Sequence, residues 1–389
     1  MAMAMSGKAM MMFVNEDLLT EIFVHLPSKS LVRFKSVSKY WLSLISSSPS
    51  LILLRRRRRR QGLLIHKLRN FNRINFIPLN SIINNNNNHV NANANANANV
   101  NDDDDYPDLF FFRKLYAIHL ITSSNGLLFC ASSCHKYHVL NPTTMQFLTV
   151  REPNLTHFGL VGLGLIFDPS KSIHYKLVCL WKSDIDFQVE IYSSETKYWK
   201  VLHHCKSPLP SNYYNHLTFY PAGIYWNDAI IWFPNGNGKS DCLIFDTQKE
   251  QVRTLPNRES GLEFCFGESG GHLYAVEWYR NFYTKAFRVY EMKEDLSGWL
   301  VTYTGDLSQI ESGFRVLSLV WTNDDEKPHL VLDLESQIVS SNLEEEEDDM
   351  KINEVSGVQP PLFNGESSRY NFTPDVFQYV ECHSSVSPL

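Results

Sequence analysis

A short strand that ends in a polar turn recurs along this chain. Copies begin at residues 139, 191, 244, 289 and 331, and so return every 42 to 53 residues. A repeat of about 50 residues is typical of one blade of a β-propeller, which is a small antiparallel sheet. Hairpin patterns lie between the copies, for example where Asn227-Asp228 separates two apolar segments. The repeat predicts a β-propeller of about six blades, with a β-sandwich as the alternative.

The composition agrees with a folded, β-rich chain. Of the 389 residues, 43% are hydrophobic and 13% are aromatic, and aromatic rings are enriched in strands. No run reaches the roughly 18 apolar residues of a membrane helix, and the start does not resemble a signal peptide. The seven cysteines contain no C-x-x-C pair and predict neither a disulfide framework nor a metal site. We therefore expect a protein of the nucleus and/or cytoplasm, with no membrane partner and no cofactor.

Charge is distributed unevenly along the chain. Residues 1–60 hold eleven Lys and Arg against three acidic residues, whereas the net charge of the whole chain is -6. Six of those cations are the consecutive arginines at 55–60, which are typical of a solvated basic segment or a nuclear import signal. Nucleic-acid binding is a weaker interpretation, because the run has no interleaved aromatic residues that would stack on bases.

Low-complexity segments interrupt the β-rich part. An Asn-, Ala- and Asp-rich tract lies in 80–108 and an acidic tract in 340–368, and both have too little apolar surface to order themselves. We predict that they are disordered loops within a β domain spanning 62–389, and that 1–13 is a disordered N-terminus. The apolar and aromatic segment at 372–380 then predicts a strand that returns to an early blade and closes the ring.

Residues 14–54 follow a helical pattern instead. Apolar residues recur at three- and four-residue intervals in three short stretches, the first of which ends at Pro27. Three short helices in about forty residues are too small to be stable alone. This small all-α module therefore either packs on its own downstream domain or docks on another protein.

The run EDLLTEIFVHLPSKSLVRFKSVSKYW at 16–41 resembles an F-box, whose usual pattern is LPxDLLxEILxRLPxKSLLRFKxVSKxW. One departure is Val14-Asn15, which stands where Leu-Pro normally opens the motif. The resemblance implies binding to the Skp-type adaptor of a cullin–RING ubiquitin ligase. The adaptor-binding residues that it implies are Leu18, Leu19, Ile22, Leu26, Pro27, Leu31, Phe34, Val37 and Trp41.

The β-rich part resembles the F-box-associated, kelch-like domain common in plant F-box proteins. Signature-like segments are NGLL at 125–128, NPTT at 141–144, FDPS at 167–170, IYSSET at 191–196, GESG at 267–270, YEM at 290–292, SGW at 297–299 and YVE at 379–381. Together the two resemblances imply a three-helix F-box followed by a kelch-like β-propeller.

Two classes of function remain open. The first is a non-catalytic substrate receptor of a Skp–cullin–F-box ligase, in which the β domain binds an unidentified target protein. The second is a propeller-type enzyme, or a nuclear nucleic-acid-associated protein, with a helical appendage. No catalytic motif is present, which favours the receptor. Tyr213-Tyr214 and Trp278-Tyr279 are either exposed anchors for a target or, more often in so aromatic a chain, blade packing.

Overall fold

The chain divides into two compact units, Met1–Arg59 and Arg60–Leu389. The predicted disordered N-terminus at 1–13 lies outside the described residues. The computed structural model describes residues 16–26, 28–48, 61–67, 73–83, 118–132, 136–154, 159–182, 187–205, 218–219, 221–235, 241–255, 263–280, 285–310, 313–321, 328–334, 337–343, 353–354 and 376–387.

Three short helices form the N-terminal unit, which confirms the prediction from apolar periodicity. They are α1 (Glu16–His25), α2 (Ser28–Phe34) and α3 (Lys39–Ser47). Glu16 and Asp17 occupy the first turn of α1, where the helix dipole favours negative charge. Ser38 caps α3, because its extended backbone precedes the helix and its Oγ accepts a hydrogen bond of 3.1 Å from the Trp41 N–H.

The second unit is a β-propeller of six blades, and this excludes the alternative of a β-sandwich. Blade 1 contains β1 (Gln61–Lys67), β2 (Arg73–Pro78) and β25 (Val376–Val380), with the helix α4 (Leu79–Ile83) after β2. Blades 2 and 3 contain β3 (Ile118–Ser124), β4 (Leu127–Ser132), β5 (Lys136–Asn141) and β6 (Gln146–Val150), then β7 (Gly159–Ile166), β8 (Lys176–Lys182), β9 (Phe187–Ser193) and β10 (Tyr198–Cys205).

The remaining three blades are also four-stranded, antiparallel sheets. A short ribbon of β11 (Thr218–Phe219) and β14 (Pro234–Asn235) adjoins blade 4. Blade 4 contains β12 (Ile224–Trp226), β13 (Ala229–Trp232), β15 (Cys242–Asp246) and β16 (Gln251–Leu255). Blades 5 and 6 contain β17 (Glu263–Ser269), β18 (His272–Arg280), β19 (Lys285–Met292) and β20 (Trp299–Asp306), then β21 (Phe314–Val320), β22 (His329–Leu334), β23 (Ile338–Asn342) and β24 (Asn353–Glu354).

The core of the propeller lies between its blades. In the described ranges, each pair of neighbouring blades encloses one cluster of buried apolar side chains, including that between blades 6 and 1. The middle strands are therefore buried on both faces, and all four residues of β13 and all six of β22 are buried. This explains why these strands are continuous apolar runs rather than alternating patterns.

The sequence repeat corresponds to one strand position in most blades. The copies at 139, 191, 244 and 289 lie in the third strands of blades 2 to 5, each followed by a tight turn. The copy at 331 instead lies in β22, the second strand of blade 6. The interpretation of this copy as a fifth equivalent unit was therefore wrong, since buried second and third strands share the same apolar composition.

The C-terminal strand closes the ring, as predicted. β25 pairs antiparallel with β1, with Gly62 opposite Tyr379 and Leu64 opposite Phe377. β1 also pairs with β2, so blade 1 combines strands from both ends of the propeller sequence. The chain thereby satisfies backbone groups that an open blade would leave exposed at an edge.

The two predicted loops begin later than the sequence suggested. Residues 80–83 belong to α4, in which Ile82 is 1% exposed, and 340–342 belong to β23. The Ser340 Oγ donates a hydrogen bond of 2.6 Å to the Ile82 carbonyl oxygen, so the starts of both predicted loops meet between blades 1 and 6. Leu343 is buried and residues 353–354 form β24, whereas the remaining residues of both segments lie outside the described ranges.

Candidate functional site

The predicted adaptor-binding residues fall into two groups in the helical unit, apart from Pro27, which lies outside the described residues. Leu18 and Val37 are each 57% exposed, and Ile22 is 46% exposed. Leu18 and Ile22 are one turn apart on α1, so their side chains are neighbours on its surface. These three apolar side chains leave surface that a partner could bury.

The other group holds the three helices together. Leu19 and Leu31 belong to the buried core of the unit, and Leu26, Phe34 and Trp41 pack against that core while partly buried. The Phe23 ring meets the Trp41 ring edge-on at a centroid distance of 5.1 Å. That these five residues contact an adaptor stays a prediction, and their observed partners are within the unit.

Two further apolar residues of the helical unit are exposed, namely Tyr40 at 48% and Leu42 at 41%. We call Leu18, Ile22, Val37, Tyr40 and Leu42 the exposed apolar set. Tyr40 lies in the helical stripe of α3 that the periodicity identified, whereas no pattern distinguishes Leu42. Singly exposed apolar side chains are common in proteins, whereas neighbouring ones such as Leu18 and Ile22 are typical of a protein-binding surface.

In blades 2 to 5, the connections from the first to the second strand and from the third to the fourth lie at the same end of each blade, and most of them are tight turns. We call this end of the propeller the turn face. Hydrogen bonds link turns of adjacent blades there. Asn125 Nδ2 donates to the Phe167 carbonyl oxygen at 2.8 Å, and Trp226 Nε1 donates to the Gly271 carbonyl oxygen at 2.6 Å. The turn face is therefore a connected polar layer.

Asp228 is a carboxylate of this layer that accepts hydrogen bonds from three side chains. Its Oδ1 accepts hydrogen bonds from Lys171 Nζ at 2.6 Å and from the Tyr225 hydroxyl at 2.9 Å, and its Oδ2 accepts one from Gln248 Nε2 at 3.0 Å. The Lys171 hydrogen bond lowers the pKa of Asp228, with smaller contributions from Tyr225 and Gln248. This ion pair joins the first turn of blade 3 to that of blade 4.

Two of the signature-like segments bind the end of the chain. Asn141 is fully buried, and its Nδ2 donates to the Cys382 and Ser384 carbonyl oxygens at 3.0 and 2.7 Å. Gly126, in the first turn of blade 2, lies against Val380 and Cys382. No local pattern could have revealed these contacts, because the partners are more than 230 residues apart in sequence.

Two buried titratable side chains of the propeller, His138 and Glu190, have hydrogen-bond partners within the fold. His138 bonds to Thr149 Oγ1 and Ser132 Oγ, both at 3.0 Å, and burial lowers its pKa. Glu190 is fully buried, and its Oε1 accepts hydrogen bonds from the backbone and the side chain of Asn154 at 2.7 and 2.6 Å. Burial raises the pKa of the Cys130 thiol. Within the described ranges, no group of three or more His, Cys, Asp or Glu side chains is placed to hold a metal ion.

The aromatic pairs considered as target anchors are only partly within the description. Tyr213-Tyr214 lies outside it. Trp278 is 5% exposed and packs in the cluster between blades 5 and 6, which confirms the blade-packing interpretation for this residue.

In the part of the chain that the structure describes, no helix is long and apolar enough to span a bilayer.

Two segments of this chain match known protein domains, and the chain is similar to proteins of Arabidopsis thaliana. Residues 15–53 match the F-box domain, and residues 68–261 match the F-box associated beta propeller domain. F-box protein At5g07610 of Arabidopsis thaliana is 31% identical over 329 residues, which cover 77% of this chain and 72% of that protein. F-box only protein 8 of the same plant is 57% identical over 35 residues, which cover 9% of this chain and 12% of that protein.

The chain is thus an F-box protein. More narrowly, it belongs to the family whose members carry an F-box and an F-box-associated β-propeller domain. Among solved structures, TolB from Acinetobacter baumannii aligns with a TM-score of 0.41 and 9% identity, over 81% of this chain and 70% of that one.

Proposed function

We propose that this protein is a substrate receptor of a Skp–cullin–F-box ubiquitin ligase. The helical unit binds the Skp-type adaptor, and through it a cullin, while the propeller binds the target protein. The receptor performs no bond chemistry. It holds target lysines near a ubiquitin-loaded enzyme and so raises their effective concentration.

The observation that supports this proposal most is the exposed apolar set. The helical unit has enough apolar side chains to build a core, yet Leu18, Ile22 and Val37 remain about half exposed. Burial of a large aliphatic side chain contributes about 1.5–3 kcal/mol relative to leaving it in water. An adaptor that covers several members of the set would therefore gain substantial affinity.

The test is co-purification of the full chain with a Skp-type adaptor. The double variant Leu18→Ala, Ile22→Ala should lose most of the bound adaptor, because both side chains are exposed and contribute little to the core. Leu300→Ala is a matched control, since Leu300 is 49% exposed but lies on β20 of the propeller. Equal adaptor recovery with the double variant and the control would contradict the proposed binding surface.

A second experiment tests whether the adaptor binds the helical unit while the target binds the propeller. Crosslinked partners of the full chain would be compared with those of the double variant, after the cullin is inhibited so that targets accumulate. Targets should remain bound to the double variant while adaptor and cullin are lost. Loss of all partners together would show that target binding is not a property of the propeller alone.

A further inference from the structure

The connection between α2 and α3 is a short turn with an exposed serine, Ser36. The Ser36 Oγ donates a hydrogen bond of 2.7 Å to the Arg33 carbonyl oxygen, and the Ser36 N–H donates to the same oxygen at 3.1 Å. The next residue, Val37, is also exposed, and its N–H donates to the Phe34 carbonyl oxygen at 3.1 Å. The Ser36 hydroxyl therefore lies at the surface, in a turn held by bonds to the end of the preceding helix.

Cations surround this serine, and acidic residues are distant in the sequence. Arg33, Lys35 and Lys39 all lie within three residues of Ser36, whereas no Asp or Glu occurs in residues 22–101. Arg33 and Lys39 are exposed, and among the described residues neither takes part in an ion pair. A negative group placed on Ser36 would therefore meet positive charge that no carboxylate neutralises.

We propose that Ser36 is a phosphorylation site for a serine kinase that selects cationic substrates, and that phosphorylation there weakens adaptor binding. The step forms a bond between the Ser36 Oγ and the γ-phosphorus of ATP, and it breaks the bond from that phosphorus to the β,γ-bridging oxygen. ADP leaves, and the hydroxyl proton passes to the catalytic carboxylate of the kinase. The effect on the adaptor rests on the proposed function, whereas the modification itself does not.

The charge of the segment determines the class of kinase. An acidic substrate groove attracts a cationic segment, because opposite charges steer association. An arginine three residues before a serine occurs twice in the chain, at Arg33 and Ser36 and again at Arg315 and Ser318. Ser318 is 3% exposed and bonds to the Tyr274 hydroxyl at 3.0 Å inside the propeller. The fold therefore leaves Ser36, and not Ser318, accessible to such a kinase.

Ser38 is exposed in the same cationic segment, but it has a structural role. Its Oγ accepts the Trp41 N–H at 3.1 Å and so caps α3. A kinase binds its substrate as an extended chain, so phosphorylation of Ser38 requires the start of α3 to unwind and Trp41 to leave the core against which it packs. Ser36 precedes the cap, and its presentation to a kinase needs less unfolding.

Phosphorylation would act on the exposed apolar set through Val37. This side chain is adjacent to Ser36 and is 57% exposed. A phosphate carries about 1.5 to 2 negative charges at pH 7 and is strongly hydrated, so a partner that covers it must remove that hydration at a cost in free energy. The modified protein should therefore stay folded while it binds less adaptor.

The site is tested by incubating the full chain with ATP and the catalytic subunit of cyclic-AMP-dependent kinase, which selects cationic residues before its serine. Mass spectrometry should find the phosphate on Ser36, and Ser36→Ala should remove most of the incorporation. Ser43→Ala is the matched control, because Ser43 is also exposed but has no cation within three residues. Incorporation on Ser38 or Ser318 in place of Ser36 would overturn the assigned site.

The effect on binding is measured by titrating a Skp-type adaptor into the full chain with phosphoserine encoded at position 36. The phosphorylated chain should bind roughly tenfold more weakly or worse, whereas Ser36→Ala should bind like the unmodified chain. By linkage, adaptor added first should slow phosphorylation of Ser36. Hydrogen exchange of α1 to α3 should be the same with and without the phosphate.

The outcomes separate this inference from the proposed function. Equal adaptor affinity of the phosphorylated and unmodified chains would overturn the regulation and leave the proposed function standing. Loss of protection throughout α1 to α3 on phosphorylation would also overturn it, because weaker binding would then follow from unfolding. Failure of the unmodified chain to bind the adaptor would overturn the proposed function, and the regulation with it.

Discussion

The helical unit and the propeller differ in whether their own residues cover their apolar surface. The propeller brings its own C-terminal strand, with the residues that follow it, back to fill blade 1 and the adjoining turns of blade 2. The helical unit leaves its exposed apolar set uncovered by its own core residues. One unit completes itself with a segment from the far end of its sequence, whereas the other leaves apolar side chains exposed. The proposed function assigns adaptor binding to the helical unit and target binding to the propeller.

The largest effect is expected from a substitution at the centre of the helical unit's core. Phe23 is fully buried and contacts both Phe34 and Trp41 through its ring. Phe23→Ala should cost about 3–5 kcal/mol, because the cavity cannot be refilled. A unit of three short helices is too small to remain folded after losing that much free energy of unfolding. Hydrogen exchange should show α1 to α3 unprotected and the propeller unchanged, and equal loss in both units would refute their independence.

A second prediction tests how tightly the propeller is packed. Gly162 and Gly159 both lie in β7, but an added Cβ would meet Trp232 Nε1 at 2.3 Å at the first position and nothing within 4 Å at the second. Gly162→Ala should lower the free energy of unfolding by about 1–3 kcal/mol through overpacking. Gly159→Ala should leave it nearly unchanged. Equal denaturation midpoints for both variants would show that the junction of blades 3 and 4 is looser than its geometry suggests.

The smallest expected effect concerns the turn face. The pKa of Asp228 is lowered in the folded state, so its ion pair with Lys171 stabilises the fold above the unfolded value of about 3.9 and is lost as the pH falls through the folded value. Asp228→Asn should cost no more than about 1 kcal/mol at pH 7, since Lys171 is 57% exposed and solvent screens the pair.

Thermal unfolding at pH 7 and near pH 2.5 measures this effect. The difference between wild type and Asp228→Asn should shrink at the lower pH, because the wild-type carboxylate is then increasingly protonated. Lys171→Met should remove the same pH-dependent part, and adding it to Asp228→Asn should cost little more. A difference that persists unchanged at low pH would assign the stabilisation to the neutral hydrogen bonds of residue 228 instead.

Much of the architecture could be predicted because its signals are local or periodic. The helical stripe in 16–47, the Asn227-Asp228 hairpin and the closing strand near residue 376 each depend on composition within a few residues. Asn227 and Asp228 have φ values of 46° and 57°, as the tight turn requires. The aromatic residues before Val380 stood out because polar sequence precedes them.

What could not be predicted depends on contacts between distant segments. Leu18 and Leu19 are adjacent and equally apolar, yet one is 57% and the other 5% exposed. The packing of α2 and α3 decides which of the two faces the core. Ser340 belonged to a polar run by composition, but its hydroxyl is buried against the Ile82 carbonyl oxygen from the other end of the ring.

Hydrogen exchange of the full chain with and without a Skp-type adaptor tests most directly whether the adaptor binds the helical unit rather than the propeller. The adaptor should protect amides of α1 and of α3, near Leu18, Ile22 and Tyr40, because it covers the exposed apolar set. Residues 61–387 of the propeller should exchange at the same rate with and without the adaptor. Protection confined to the propeller, with none in 16–47, would contradict the assignment of partner binding to the helical unit.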